Sequence, residues 1–158
     1  MANTQSMCTT FMGELLTATH NFGVAPIRAA TTADTFKGAL YLTTATVDAN
    51  TSVYSATNEV TGAGYSAGGV TVTNATVPAQ TNTSAIAGVA YWTPSASITY
   101  TSVTLATAFD CVLIYNSTQS NKAVSVHTFG SQTVTAGTFT LTMPANTTTT
   151  ALLRLTTS

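Results

Sequence analysis

Gly64-Tyr65-Ser66-Ala67-Gly68 matches G-x-S-x-G, the pattern that sets a nucleophilic serine on a sharp turn in serine hydrolases. Asp110 and His127 follow it in the chain order Ser, Asp, His. That chemistry needs the serine between a strand and a helix, with the helix N-terminus near the oxyanion. Here Gly69-Val70-Thr71-Val72-Thr73 follows, and its alternation is that of a strand. The alternating strand and helix units of the hydrolase fold are also missing. The match therefore reads as a glycine-rich turn, and neither a catalytic residue nor an enzymatic activity is expected.

Metal chemistry finds no better footing. His20 and His127 are far apart in sequence and stand in no HxxxH, HxH or CxxC spacing. The five carboxylates are scattered, so they make no calcium loop. There is no G-x-x-x-x-G-K-[ST] phosphate loop. No metal and no cofactor are expected. His20 reads as a helix-end residue that bonds the last carbonyls or meets water, and His127 as a mid-strand ring. Sequons begin at Asn50, Asn74, Asn82, Asn116 and Asn146 and read as markers of surface loops.

The elements that would position such residues follow from composition and periodicity. The chain has 158 residues, which predicts one domain. Charged residues make up 6% of it, against about 25% in an ordinary soluble domain. Hydroxyls take their place, with 37 Thr and 13 Ser. Arg28, Lys37, Lys122 and Arg154 cannot build the basic patch that nucleic acid requires. At 44% apolar residues the chain does not have the composition of a disordered one. No stretch approaches the ~20 apolar residues of a membrane span. The opening MANTQSMCTT shows neither the basic region nor the apolar run of a signal peptide, which predicts synthesis in a cytoplasm. Cys8 and Cys111 are accordingly expected to be free, buried thiols.

Cys8, Phe11, Met12, Leu15, Leu16 and Thr19 share one face at helical spacing and predict a helix from Cys8 to His20, with its body over 10–20. Thr9 or Thr10 could cap it, and Asn21 to Gly23 would stop it. Residues 1–9 form an N-terminal arm, and Pro26 to Ala33 a loop. From Asp34 the period changes to two. Strands are predicted over 34–42, 70–74, 98–105, 111–115, 123–129, 139–143 and 151–155. Cys111 to Tyr115 (CVLIY) is continuously apolar and predicts a strand buried on both faces. Turn clusters fall at Asp48 to Asn50, Thr61 to Gly64, Gly68-Gly69, Asn116 to Lys122 and Ala136-Gly137, and Val77 to Gly88 reads as a long exposed loop. The fold class is all-β, a β-sandwich or jelly roll of about eight strands over 34–158 with one short N-terminal helix.

Three stretches carry a resemblance: Asp34 to Leu42 (DTFKGALYL), Tyr54 to Thr73 (YSATNEVTGAGYSAGGVTVT) and Asp110 to Pro144. With the opening MANTQSMCTTF they resemble a family of small virion structural proteins of tailed bacteriophages. The similarity covers most of the chain and weakens between Val77 and Ile98. It implies a non-enzymatic, all-β virion structural domain over 1–158, located in the virion after synthesis in the host cytoplasm. A head decoration or cement protein on the outside of the major capsid lattice comes first. A tail or baseplate component is the alternative within the particle.

The near absence of charge agrees with a surface that packs against neighbours, because little keeps copies apart. The partners expected are the major capsid protein and further copies of the chain, as a homo-oligomer and possibly a trimer. Neither nucleic acid nor membrane is expected. Ala2, Asn3, Thr4 and Gln5 are the candidate contact arm, free to reach a neighbour. A third reading is a host-glycan-binding surface module with Tyr91, Trp92 and Tyr100 as its aromatic platform.

Overall fold

The computed structural model describes residues 3–16, 19, 20, 22, 33–81 and 88–156, leaving out the side chains of residues 12, 13 and 16. Ala2, Arg28, Asn82 and the Pro26 to Thr32 part of the expected loop lie outside that range. The fold is an all-β sandwich of two antiparallel sheets with one short helix. In chain order the elements are β1 (Ser6–Met7), α1 (Thr9–Leu16), β2 (Phe36–Leu42), β3 (Val70–Val72), β4 (Ala79–Gln80), β5 (Val89–Trp92), β6 (Ile98–Asn116), β7 (Lys122–Leu141) and β8 (Leu153–Thr156). The larger sheet runs β1-β7-β6-β2-β3 and the smaller β4-β5-β8.

CVLIY lies in the C-terminal part of β6, the central strand of the larger sheet, flanked by β2 and β7, and its five residues are at most 3% exposed. The expected burial on both faces is observed. Four of the expected strands are fused in pairs. The stretches 98–105 and 111–115 lie in one 19-residue strand, and 123–129 and the 139–141 part of 139–143 lie in one 20-residue strand. The turn expected at Ala136-Gly137 is a kink inside β7, with Ala136 at φ 46. The register of β6 against β7 shifts between Tyr100 and Val103, and repeatedly as far as Cys111. Residues in the left-handed region inside a strand mark bulges, which bend a ribbon without ending it.

The bend is large. A Cβ built on Gly38 would lie 3.2 Å from Val112 Cγ2 and 3.4 Å from Ile98 Cγ2. A straight strand would hold Ile98 and Val112 roughly 45 Å apart, at about 3.3 Å per residue. The far half of the β6–β7 hairpin therefore folds back over its own near half, and one ribbon supplies two layers of the sandwich. The Tyr100 hydroxyl donates to the Gly38 carbonyl at 2.8 Å and pins the layers together. Gly38 leaves room for this approach. Residues 58–64 close the side, with Glu59 bridging Tyr41 of β2 and Ala63 bridging Thr104 of β6. Phe22, Phe36 and Trp92 cluster at 4.5–6.2 Å and seat the smaller sheet on the same core.

Other expectations shift in detail. The helix is shorter than 10–20. The Thr19 amide bonds the Glu14 carbonyl, and His20 and Phe22 turn into the core. Val77 to Gly88 is partly a hairpin: β4 pairs with β5, and the Thr81 amide bonds the Val89 carbonyl. Residues 3–5 do not form a free arm. Asn3 bonds Leu42 and Asp110 through its amide group and the Val47 amide through Oδ1. The Thr4 amide bonds the Val47 carbonyl, and Gln5 accepts from Thr128. These bonds satisfy polar groups next to the sheet, which a free arm would leave to water.

Candidate functional site

Ser66 sits on an exposed turn closed by the Gly69 amide on its carbonyl, and β3 follows directly. Asp110 is bonded to Asn3, and the His127 Nε2 pairs with the Ser125 hydroxyl at 2.9 Å. Each member of the apparent triad has its own local partner, and none of these bonds joins Ser66 to the other two. The GYSAGG segment has a different task, organised by Glu59.

Glu59 is 6% exposed. Its Oε2 accepts from the Tyr54 hydroxyl at 2.6 Å, and its Oε1 from the Tyr65 hydroxyl at 2.7 Å and the Gly68 amide at 2.8 Å. A buried carboxylate is tolerated only when its lone pairs are filled in this way. Burial first, and then Glu59 itself, push both tyrosine hydroxyls well above their usual range, so they remain donors. Tyr115 stacks on Tyr54 at 4.6 Å and donates to the Gly68 carbonyl at 2.9 Å. Gly68 (φ 87) and Gly69 (φ 69) turn the chain here, and a Cβ on Gly69 would fall 1.7 Å from the Gly38 carbonyl oxygen. Only glycine fits that approach. The motif that imitates a nucleophile elbow is the clasp around a buried acid.

A second network lies under the helix. Lys122 and His20 both bond Glu14, the latter at 2.7 Å. His20 Nδ1 meets the Asn116 amide at 3.0 Å, and that amide donates to Asp34 at 2.8 Å. Asn116 is fully buried, so this sequon does not mark a surface loop. Its Oδ1 caps the β6–β7 hairpin by accepting from the Thr118 and Gln119 amides. His20, expected at a helix end among carbonyls or water, is 8% exposed inside this network. Burial lowers its pKa, outweighing the opposite pull of Glu14 and Asp34. Burial alone would raise Glu14, but the bonds and charges of Lys122 and His20 outweigh it and hold Glu14 below its ordinary 4.5.

These networks withdraw charge from the surface. Glu59 and Asp34 are buried, and Glu14, Lys37, Asp48, Asp110 and Lys122 are half-buried. Among the described charged residues Arg154 is the one exposed as a whole, and the Lys122 side chain, 39% exposed, is paired with Glu14. What faces solvent is largely hydroxyl and methyl. Cys8 and Cys111 are free and buried, with burial the main cause that pushes both thiols up to about 12. Among the described residues no group of three or more His, Cys, Asp or Glu could hold a metal, and no helix is long and apolar enough to cross a membrane. The aromatic platform is not on display either: Trp92 is 3% and Tyr100 1% exposed, and Tyr91 is half-buried. An apolar cleft of about 200 Å³ opens between α1 and the smaller sheet, lined by Phe11, Leu15, Tyr91, Trp92 and Leu155 among others.

No family model matches the chain, no curated protein is significantly similar to it, and no solved structure matches its fold.

Glu59→Gln replaces one of the two accepting oxygens by an NH₂ that faces a donor, and should destabilise the domain by about 1–3 kcal/mol. Ser66→Ala should change stability by less than about 0.5 kcal/mol, as exposed substitutions do. Urea unfolding of the two variants beside the unsubstituted protein measures both.

Stability should also fall in mild acid. Burial lowers His127 from 6.5 to about 4, and His20 is lowered as well. Between those two pH values the unfolded chain binds more protons than the native one, so stability drops as pH falls from about 6.5 to 4. Glu14 adds a further loss below 4.5 as its ion pairs are protonated away. Melting temperatures across this range should show the decline, and His127→Gln should make it shallower.

Proposed function

We propose that this chain is a structural component of a tailed-phage particle, a head decoration or cement protein that binds the outside of the major capsid lattice. The observation that carries the reading is the stripped surface: of the charged residues described, Arg154 alone is exposed as a whole, and the partly exposed Lys122 is neutralised by Glu14. Lys and Glu on a protein surface keep molecules apart and lose several rotatable bonds of freedom when a contact covers them. Thr and Ser hydrate well and lose less on burial. A sheet protein whose acids are held inside and whose outside is hydroxyl suits permanent packing against neighbours. The resemblance of the DTFKGALYL, GYSAGG and CVLIY regions to small phage virion proteins supports the same reading. A tail or baseplate position would use the same surface, but the lattice offers more of the repeated contact for which it is suited.

The mechanism is thermodynamic. A clamp that binds the expanded lattice and not its precursor shifts the equilibrium toward the expanded state and raises the particle's resistance to disruption. Association with further copies of itself multiplies contacts at high effective concentration. The rigid two-layer ribbon serves this role because it orders little further on docking.

Purified protein titrated onto capsids stripped of it should bind with nearly the same affinity at low and high ionic strength. Few exposed ion pairs are available for salt to screen. A large loss of affinity in high salt would show that charge carries the contact and would overturn this reading.

A further inference from the structure

Among the described residues the outer edge of β7 is covered by strand or bridge partners only at its start. Val53 bridges Lys122, the Cys8 amide bonds the Val124 carbonyl, and β1 pairs with Ser125 and Val126. From His127 to Leu141 no described strand or bridge occupies that edge. An open edge presents a row of backbone donors and acceptors that another strand can fill, and proteins usually block it with Lys, Pro or inward charges. The stretch 130–141, GSQTVTAGTFTL, contains none of these. Its interruptions are backbone kinks at Gly130 (φ 76) and Ala136 (φ 46). They leave one straight run, where Phe139, Thr140 and Leu141 hold unbroken register against Tyr100, Thr99 and Ile98.

We propose that Gly137 to Leu141 pairs antiparallel with the same edge of a second copy of this chain, about a two-fold axis at Phe139. An isologous contact requires a patch that matches itself. This one does. The axis sets Thr138 opposite Thr140 of the other copy, and both threonines are exposed on one face. Each hydroxyl is donor and acceptor at once, so a Thr–Thr pair needs no second residue type. No like charges meet, because the run carries no charge. On the other face Phe139, half-buried, comes beside its own image, an aromatic cross-strand pair. The contact makes the solution unit two-fold rather than the trimer expected from lattice geometry. It concerns copies of the chain alone and stands independently of the capsid reading.

Sedimentation velocity over a concentration series tests the pairing, together with amide hydrogen exchange. The unsubstituted protein should form a dimer, and protection of amides in 137–141 should fall on dilution while that of CVLIY does not change. Thr138→Lys with Thr140→Lys should be monomeric at every concentration and should melt close to the unsubstituted protein at dilutions where that protein is also a monomer, since both side chains are exposed. Mixing it with Thr138→Glu, Thr140→Glu should restore a dimer, because the pairing sets Lys against Glu. A monomer at every concentration, a trimer, or a lysine variant that dimerises as before would overturn the proposal.

Discussion

The hydroxyl of Tyr100 reaches the carbonyl of Gly38 across the sandwich, and that bond depends on a ribbon bent back onto itself. β6 and β7 are each about three times longer than a common strand, and the bulges between Tyr100 and Cys111 turn that length into two stacked layers. The rest of the fold packs into the fork this creates. The 58–64 segment closes the side, and Phe109 sits at the bend against Phe129 and Phe139 at 5.9 and 5.1 Å. The smaller sheet docks through Trp92. A continuous ribbon that makes both layers also leaves the outer edge of β7, over most of its length, without a strand partner among the described residues.

Charge is the second constraint. A chain with nine ionisable Asp, Glu, Lys and Arg residues places two of its carboxylates in the interior and holds most of the others half-buried. Glu59 ties the GYSAGG clasp to Tyr54 and Tyr65, and Asp34 and Glu14 tie the helix region to the hairpin through His20 and Asn116. Such networks fix one arrangement of loops that threonine alone would leave loose. The same economy empties the surface of repulsion. Internal order and a surface poor in charge are thus two results of where a handful of charges is put.

Much of this was legible in the residues. CVLIY announces its place at the centre, because five apolar residues in a row fit only a strand covered on both sides. The alternation after Gly69 marks a strand, and β3 is there. What escaped was long-range. Two-residue periodicity is the same in a straight strand and in one that bends through a bulge, so Ala136-Gly137 read as a turn between two strands. Asn116 read as a loop sequon because nothing local reveals that its side chain meets Asp34, 82 residues away in sequence. Glu59 is illegible for a different reason: its partners Tyr54, Tyr65 and Gly68 are near in sequence, but nothing in their spacing shows that all three point at one carboxylate. Asn3 and Gln5 read as an arm because the sequence does not show the sheet they bond to.

The central claim is that a surface nearly free of charge belongs to a protein assembled in many copies on a phage shell. Quantitative stoichiometry of purified particles containing this chain tests it most directly. The account predicts hundreds of copies per particle, in fixed ratio to the major capsid protein. A few copies, or its absence from the purified particle, would contradict it.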